Sequence, residues 1–229
     1  MMRKLLLLSA LALLLIPGYL PADSHRTRIH ASADQVEPLL PGMQAPAFRV
    51  RDVKRNAVTF DPAAMTKPVI ITFFRGGWCP YCNLHLAELR HAEQELKTMG
   101  FDIWFISIDR PELLYESLQD PGVGYTVYSD ARLDATRAFG IAFRVDDETV
   151  DRYRGYDIDL EAASGENHHV LPAPSTFLVG MDGIIRFQYT NPDYTVRLHP
   201  SILLAAARAY TNDEDGRLDR AFKREHGTE

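Results

Sequence analysis

Cys79 and Cys82 are the only cysteines of the chain and lie three residues apart in Trp78-Cys-Pro-Tyr-Cys82. A pair at this spacing can cycle between dithiol and disulfide: one thiolate captures a substrate sulfur and its neighbour displaces what was captured. A purely structural bridge competes weakly, because closing so short a loop removes about 2 kcal/mol of unfolded-state chain entropy, against about 3 for a fifteen-residue loop. Half of a zinc site competes weakly too, since structural zinc takes four ligands and no second Cys pair supplies them. Redox chemistry is the reading favoured by a Cys-x-x-Cys next to a βαβ pattern.

The flanking residues must place these sulfur atoms. Val69 to Phe74 is a run of β-branched and aromatic residues and predicts a buried strand, which Gly76-Gly77 interrupts. Leucine spacing from about Pro80 to Met99 predicts a helix with Pro80 in its first turn, where a missing N–H costs nothing. Cys79 then stands at the positive end of a helix, whose unpaired N–H groups favour a thiolate. Cys82 starts an apolar stripe through Leu86, Leu89, Leu96 and Met99. The expectation is therefore an outward attacking thiol, Cys79, and an inward resolving thiol, Cys82.

The chain of 229 residues is 46% hydrophobic, enough for a full core in one domain. It opens on Met-Met-Arg-Lys and an uncharged apolar run from Leu5 to Ile16, which reads as a secretory signal ending near Ala22 or as an uncleaved N-terminal anchor. The expected location is export, to the bacterial periplasm or to a membrane-anchored state facing it. The formal net charge of -6 disfavours nucleic acid and anionic lipid as partners and leaves proteins and small thiols.

Residues 23–42 lack periodicity and read as a linker, 43–211 as the domain, and 212–229 as a charged mobile tail. Within the domain, Phe48–Arg51 and Ala57–Phe60 predict a small hairpin. Phe101 to Ile108 predicts a second buried strand and a helix follows from Pro111, completing a βαβ unit. A short strand at Tyr125 to Tyr128 and a capped helix to Phe139 come next. Residues 143–171 read as an inserted loop or lid. Thr176–Val179 and Ile184–Tyr189 flank an Asp-Gly turn, and a helix from about His199 to Tyr210 closes the domain. This order predicts an α/β fold with a mixed central sheet covered on both faces.

Trp78-Cys-Pro-Tyr-Cys82 after a buried strand, together with Pro174-Ser-Thr-Phe-Leu-Val179 and Asp182-Gly183, resembles the thioredoxin-like superfamily. The longer stretch Phe-Phe-Arg-Gly-Gly-Trp-Cys-Pro-Tyr-Cys is similar to its peroxiredoxin-like (redoxin, AhpC/TSA) branch, over about residues 40 to 211. The resemblance implies a three-layer α/β/α sandwich with an N-terminal β-hairpin. It also implies that Pro174 is a cis-proline facing the dithiol, that the Ala173 backbone pairs with substrate, and that Trp78, Pro80 and Tyr81 form the substrate-binding surface. True peroxiredoxins carry Pro, then Thr, then the peroxidatic Cys, with a later Arg. Laid on this chain, those positions fall on Arg75, Cys79, Cys82 and Pro174, so three of four elements differ.

Arg75 is then a supporting charge or simply a solvated strand end, and Asp109 reads as a helix cap rather than a base. The leading expectation is an exported thiol–disulfide oxidoreductase that uses Cys79 and Cys82, with no cofactor or metal and with an electron donor as partner. One rival is a thiol peroxidase in which Cys82 is peroxidatic and Cys79 resolving. The other is a non-enzymatic Cu(I) carrier, which would add His168 or His169 to the two cysteines.

Overall fold

A computed structural model describes residues 26–117, 126–212 and 216–227. The proposed signal or anchor at 1–22 lies outside these residues. Among the described residues, no helix is long and apolar enough to cross a membrane.

A seven-stranded mixed sheet forms the centre. Its strands are β1 (Phe48–Arg51), β2 (Ala57–Phe60), β3 (Val69–Phe73), β4 (Asp102–Ser107), β5 (Thr126–Ser129), β8 (Ser175–Val179) and β9 (Ile185–Thr190), in the order β2-β1-β5-β4-β3-β8-β9. β3, β4 and β5 run parallel, whereas β8 is antiparallel to β3. All five residues of β3 are buried, as expected of a central strand covered on both faces.

Alternation along β3 divides the core. Val69, Ile71 and Phe73 join Phe48, Phe60, Phe139 and Phe177 on one face. Ile70 and Phe74 join the other face, which is covered by helix α1 (Pro80–Thr98). The helices α2 (Pro111–Ser117) and α3 (Asp134–Ala138) follow β4 and β5. The predicted hairpin, βαβ unit and closing hairpin are all present, and the closing helix, α6 (Pro200–Thr211), packs Leu203 and Ala207 against the α1 face.

Three stretches carry structure that the sequence left unassigned. The patternless segment after residue 142 is ordered as β6 (Ala142–Arg144), α4 (Asp147–Arg154), α5 (Leu160–Ser164) and β7 (Val170–Pro172), with β6 and β7 paired antiparallel. It has its own small core of Val145, Val150, Leu160 and Leu171, against which Trp78 and Tyr153 pack. The elements are too short to show periodicity, and side-chain caps hold them: Asp146 accepts from Thr149 N–H and Asp159 from Glu161 and Ala162 N–H.

The described part of the linker is stitched to the domain, because His30 N–H donates to Ala142 O and Glu37 N–H to Gly140 O. The end of the chain, expected as a mobile tail, contains a helix, α7 (Arg217–His226), that buries none of its side chains.

Candidate active site

β3 ends at Phe73 and the chain turns through Arg75-Gly76-Gly77-Trp78 to Cys79, the N-cap of α1, with Pro80 in the first helical turn. Gly76 is required by close approach: a Cβ there would lie 2.2 Å from Trp78 Nε1 and 2.7 Å from Asp109 Oδ1. Asp109 follows β4 and is 1% exposed. Its Oδ2 accepts a 2.7 Å hydrogen bond from Gly77 N–H, so this carboxylate, expected as a helix cap, instead pins the turn that presents Cys79.

Neither cysteine is in a disulfide. The helix-end placement holds, and the expected exposure does not: Cys79 is 1% exposed and Cys82 is fully buried. Helical phase alone sends Cys79 outward, but the segment between β9 and α6 crosses the start of α1. On this strap the Tyr194 ring packs edge-on against Tyr81 at 5.7 Å, and Arg197 Nη2 lies 3.4 Å from Cys82 Sγ.

Arg75, expected as a solvated strand end, is 3% exposed. Its guanidinium carbon lies 4.1 Å from the Tyr194 ring centroid, 5.2 Å from that of Trp78 and 5.3 Å from that of Tyr153, and it also bonds the Tyr153 hydroxyl. Aromatic faces replace the water that this cation has lost. Among the described residues neither Arg75 nor Arg197 forms a salt bridge with a carboxylate.

These contacts drive the two thiols apart. A hydrogen bond from the Cys82 thiol to the Cys79 sulfur, aided by the Cys82 N–H and the charges of Arg75 and Arg197, lowers Cys79 to about 6 against the opposing effect of burial. Burial raises Cys82, and donation to Cys79 together with the Cys79 charge raises it further. Near pH 7 the pair is therefore one thiolate and one thiol. Burial also raises Asp109 to about 6, in part offset by the Gly77 N–H, and the Cys79 charge adds to the rise. His85, one turn beyond Cys82, bonds Leu198 O at 3.1 Å, and burial lowers it to about 4, so it anchors the strap as a neutral imidazole.

The other expected residues divide. Trp78 is half-buried beside the dithiol, while Pro80 and the 45%-exposed Tyr81 form its outer rim. Ala173 and Pro174 do not fill their expected roles. No cis peptide occurs among the described residues, so the Ala173–Pro174 bond is trans. Ala173 is fully buried, with its N–H given to Ile141 O and its C=O accepting from Ser175 Oγ, so its backbone faces the core rather than a substrate.

His168 and His169 do not join the dithiol, because His168 Nε2 pairs with Ala131 O and His169 Nε2 with Glu161. Arg197, Tyr194, Tyr153 and His85 were not foreseen as site residues. Arg197 carries no local signal, whereas Asp109 could have been ranked higher from its place at the carboxyl end of a central parallel strand, where open α/β sheets build their sites.

Residues 41–188 match the AhpC/TSA family. A putative peroxiredoxin bcp of Haemophilus influenzae is 28% identical over 106 residues, covering 46% of this chain and 68% of that protein. The thiol:disulfide interchange protein DsbE of Vibrio cholerae is 23% identical over 194 residues, covering 83% of this chain and 87% of its own. Among solved structures, peroxidoxin BcpB of Mycobacterium tuberculosis superposes with a TM-score of 0.57 at 17% identity, covering 74% of this chain and 96% of its own. A yeast mitochondrial 1-Cys peroxiredoxin gives 0.59 at 16% identity, covering 78% and 79%.

Proposed function

The chain belongs to the AhpC/TSA family and is an oxidoreductase, and from that premise we propose that it catalyses thiol–disulfide exchange with Cys79 as nucleophile and Cys82 as resolving thiol. The observation that carries this reading is the placement of two sulfur atoms one helical turn apart at the start of α1, with the Arg197 guanidinium beside them; its charge and that of Arg75 favour a Cys79 thiolate while burial keeps Cys82 protonated. The Cys79 thiolate attacks one sulfur of a substrate disulfide and the other substrate sulfur leaves as thiolate. Cys82 then loses its proton and attacks the Cys79 sulfur, releasing the second substrate thiolate and closing the Cys79–Cys82 disulfide. A reducing partner of dithiol type returns the enzyme to its starting state.

Forming the mixed disulfide removes the Cys79 charge, one of the causes holding Cys82 protonated, while the Arg197 charge stays. Capture thus favours deprotonation of the resolving thiol, although burial, the larger cause, still opposes it. Trp78, Pro80, Tyr81 and Tyr194 form the surface on which a peptide or small thiol docks. The basic start and apolar run before Ala22 support export, to the periplasm or anchored to the membrane facing it.

One observation favours a second reading, peroxide reduction begun at Cys82: a guanidinium touches that sulfur, Arg197 Nη2 at 3.4 Å, and a small peroxide suits two sulfur atoms that are nearly inaccessible. Reductase and peroxide-consumption assays on Cys79→Ser and Cys82→Ser separate the two. Exchange requires Cys79 and leaves Cys82→Ser able to capture substrate once. The peroxidase reading requires Cys79→Ser to consume one equivalent of peroxide.

A further inference from the structure

A cavity of about 550 Å³ opens between the β1–β2 hairpin, the start of α2 and the carboxyl end of β5, and shares no residue with the dithiol site. Arg49, Arg51, Arg110 and Arg132 line it, all of them exposed. Among the described residues none of these four has a carboxylate at salt-bridge distance, whereas the fifth lining arginine, Arg55, is paired with Glu112. The acids of the cavity do not cancel this charge. Glu112 is taken by Arg55, and the Asp130 carboxylate is buried and accepts from Ala135 and Thr136 N–H. Asp134 and Glu166 are left, both exposed.

A second, independent feature lies in the wall. Arg51 pairs across the sheet with Ser129, which puts both side chains on one face, and Arg49, two residues earlier, shares it. Ser129 is 2% exposed, and its Oγ has no hydrogen-bond partner. An unpaired buried hydroxyl is costly, and a ligand oxygen would satisfy it. Guanidinium groups match carboxylate and phosphate geometry, and the cavity has the volume of a small-molecule site at the carboxyl ends of parallel strands. We propose that this pocket binds a small molecule bearing a phosphate or carboxylate group, held by Arg51 and Ser129 at the wall and by Arg49, Arg110 and Arg132 around it.

The test is calorimetric and thermal-shift titration of the full chain with sodium phosphate and, separately, with citrate, each against sodium chloride at equal ionic strength. The expected result is saturable binding of at least one of the two with a rise in Tm, phosphate alone marking a phosphate ligand and citrate alone a carboxylate. Arg51→Gln and Arg110→Gln should each weaken binding about tenfold or more. Ser129→Ala should weaken it several-fold, and the surface control Arg152→Gln should leave it unchanged. No saturable response beyond chloride, or a response that survives the Arg51→Gln/Arg110→Gln double variant, overturns the proposal. Because all the variants lie outside the dithiol site, reductase activity reports separately on the redox reading.

Discussion

The turn from Arg75 to Cys82 and the strap from Asn191 to His199 meet over the same pair of sulfur atoms, but they are built differently. The turn is contiguous and stiff: its strand, glycines, N-cap and proline follow one another in sequence, and Asp109 pins it through the Gly77 N–H. The strap is irregular and is held from a distance, by His85 on Leu198 O, by Tyr194 on Arg75 and by Arg197 on Cys82. Such a division teaches that the proposed nucleophile is placed locally, while part of its charge balance comes from more than a hundred residues downstream.

The most severe way to break the comparison is to remove what the turn presents. Cys79→Ser should lower disulfide reduction by a factor on the order of a thousand or more, and Cys82→Ser should accumulate a mixed disulfide on Cys79, visible by mass spectrometry. If Cys82→Ser turned over normally, the division of labour between the thiols would be wrong. The next largest effect tests the contribution of the strap against that of the turn. Arg197→Gln and Arg75→Gln each remove a charge that favours the thiolate, so the alkylation–pH profile of Cys79 should move upward from about 6 in both, with a several-fold slower reaction at pH 6. A profile unmoved by Arg197→Gln would reduce the strap to a cover.

Stability against pH sharpens the contrast further. Cys79 is depressed on folding, from an ordinary thiol value of 9.0 to about 6. Its contribution is therefore present above the unfolded value and is lost as the pH falls through about 6. Asp109 has the opposite sign: raised to about 6, it contributes fully below its unfolded value of 3.8 and loses that contribution as the pH rises through about 6. Urea unfolding of the reduced protein should show Cys79→Ser flattening the rise between pH 6 and 9. Asp109→Asn should flatten the fall between pH 4 and 6, worth up to about 3 kcal/mol. The smallest expected effect is that of Tyr194→Ala, which should cost about 1 kcal/mol of stability and speed Cys79 alkylation several-fold by loosening the strap. Equal alkylation rates in the variant and the parent would mean that Tyr194 does not guard the thiol.

Much of the fold was legible in the sequence because its signals are local. The β1–β2 hairpin falls on the residues expected, and the β3–α1–β4 unit and the β8–β9 hairpin fall within a residue or so. The dithiol and its helix-end placement were legible for the same reason. The region 143–171 was not, since its strands are three residues long and one helix has only five, too short for a period to appear. Nor was the burial of Arg75, which depends on aromatic rings from α4 and the strap, or that of Cys79, which shares a buried cluster with the distant Leu198. The spacing of Pro174 misleads because it says nothing about Ile141 O and Ser175 Oγ, the groups that engage the Ala173 backbone.

The near-complete enclosure of Cys79 has a kinetic consequence. With the Cys79 side chain 1% exposed, a macromolecular disulfide can reach its sulfur only in conformations where the surrounding side chains have moved aside, so the observed rate is an intrinsic rate scaled by how often that opening occurs. Labelling by a series of alkylating reagents of increasing bulk would then act as a clock for that opening: small reagents would report the chemistry of the sulfur, and large ones would converge on a single ceiling, the opening frequency itself.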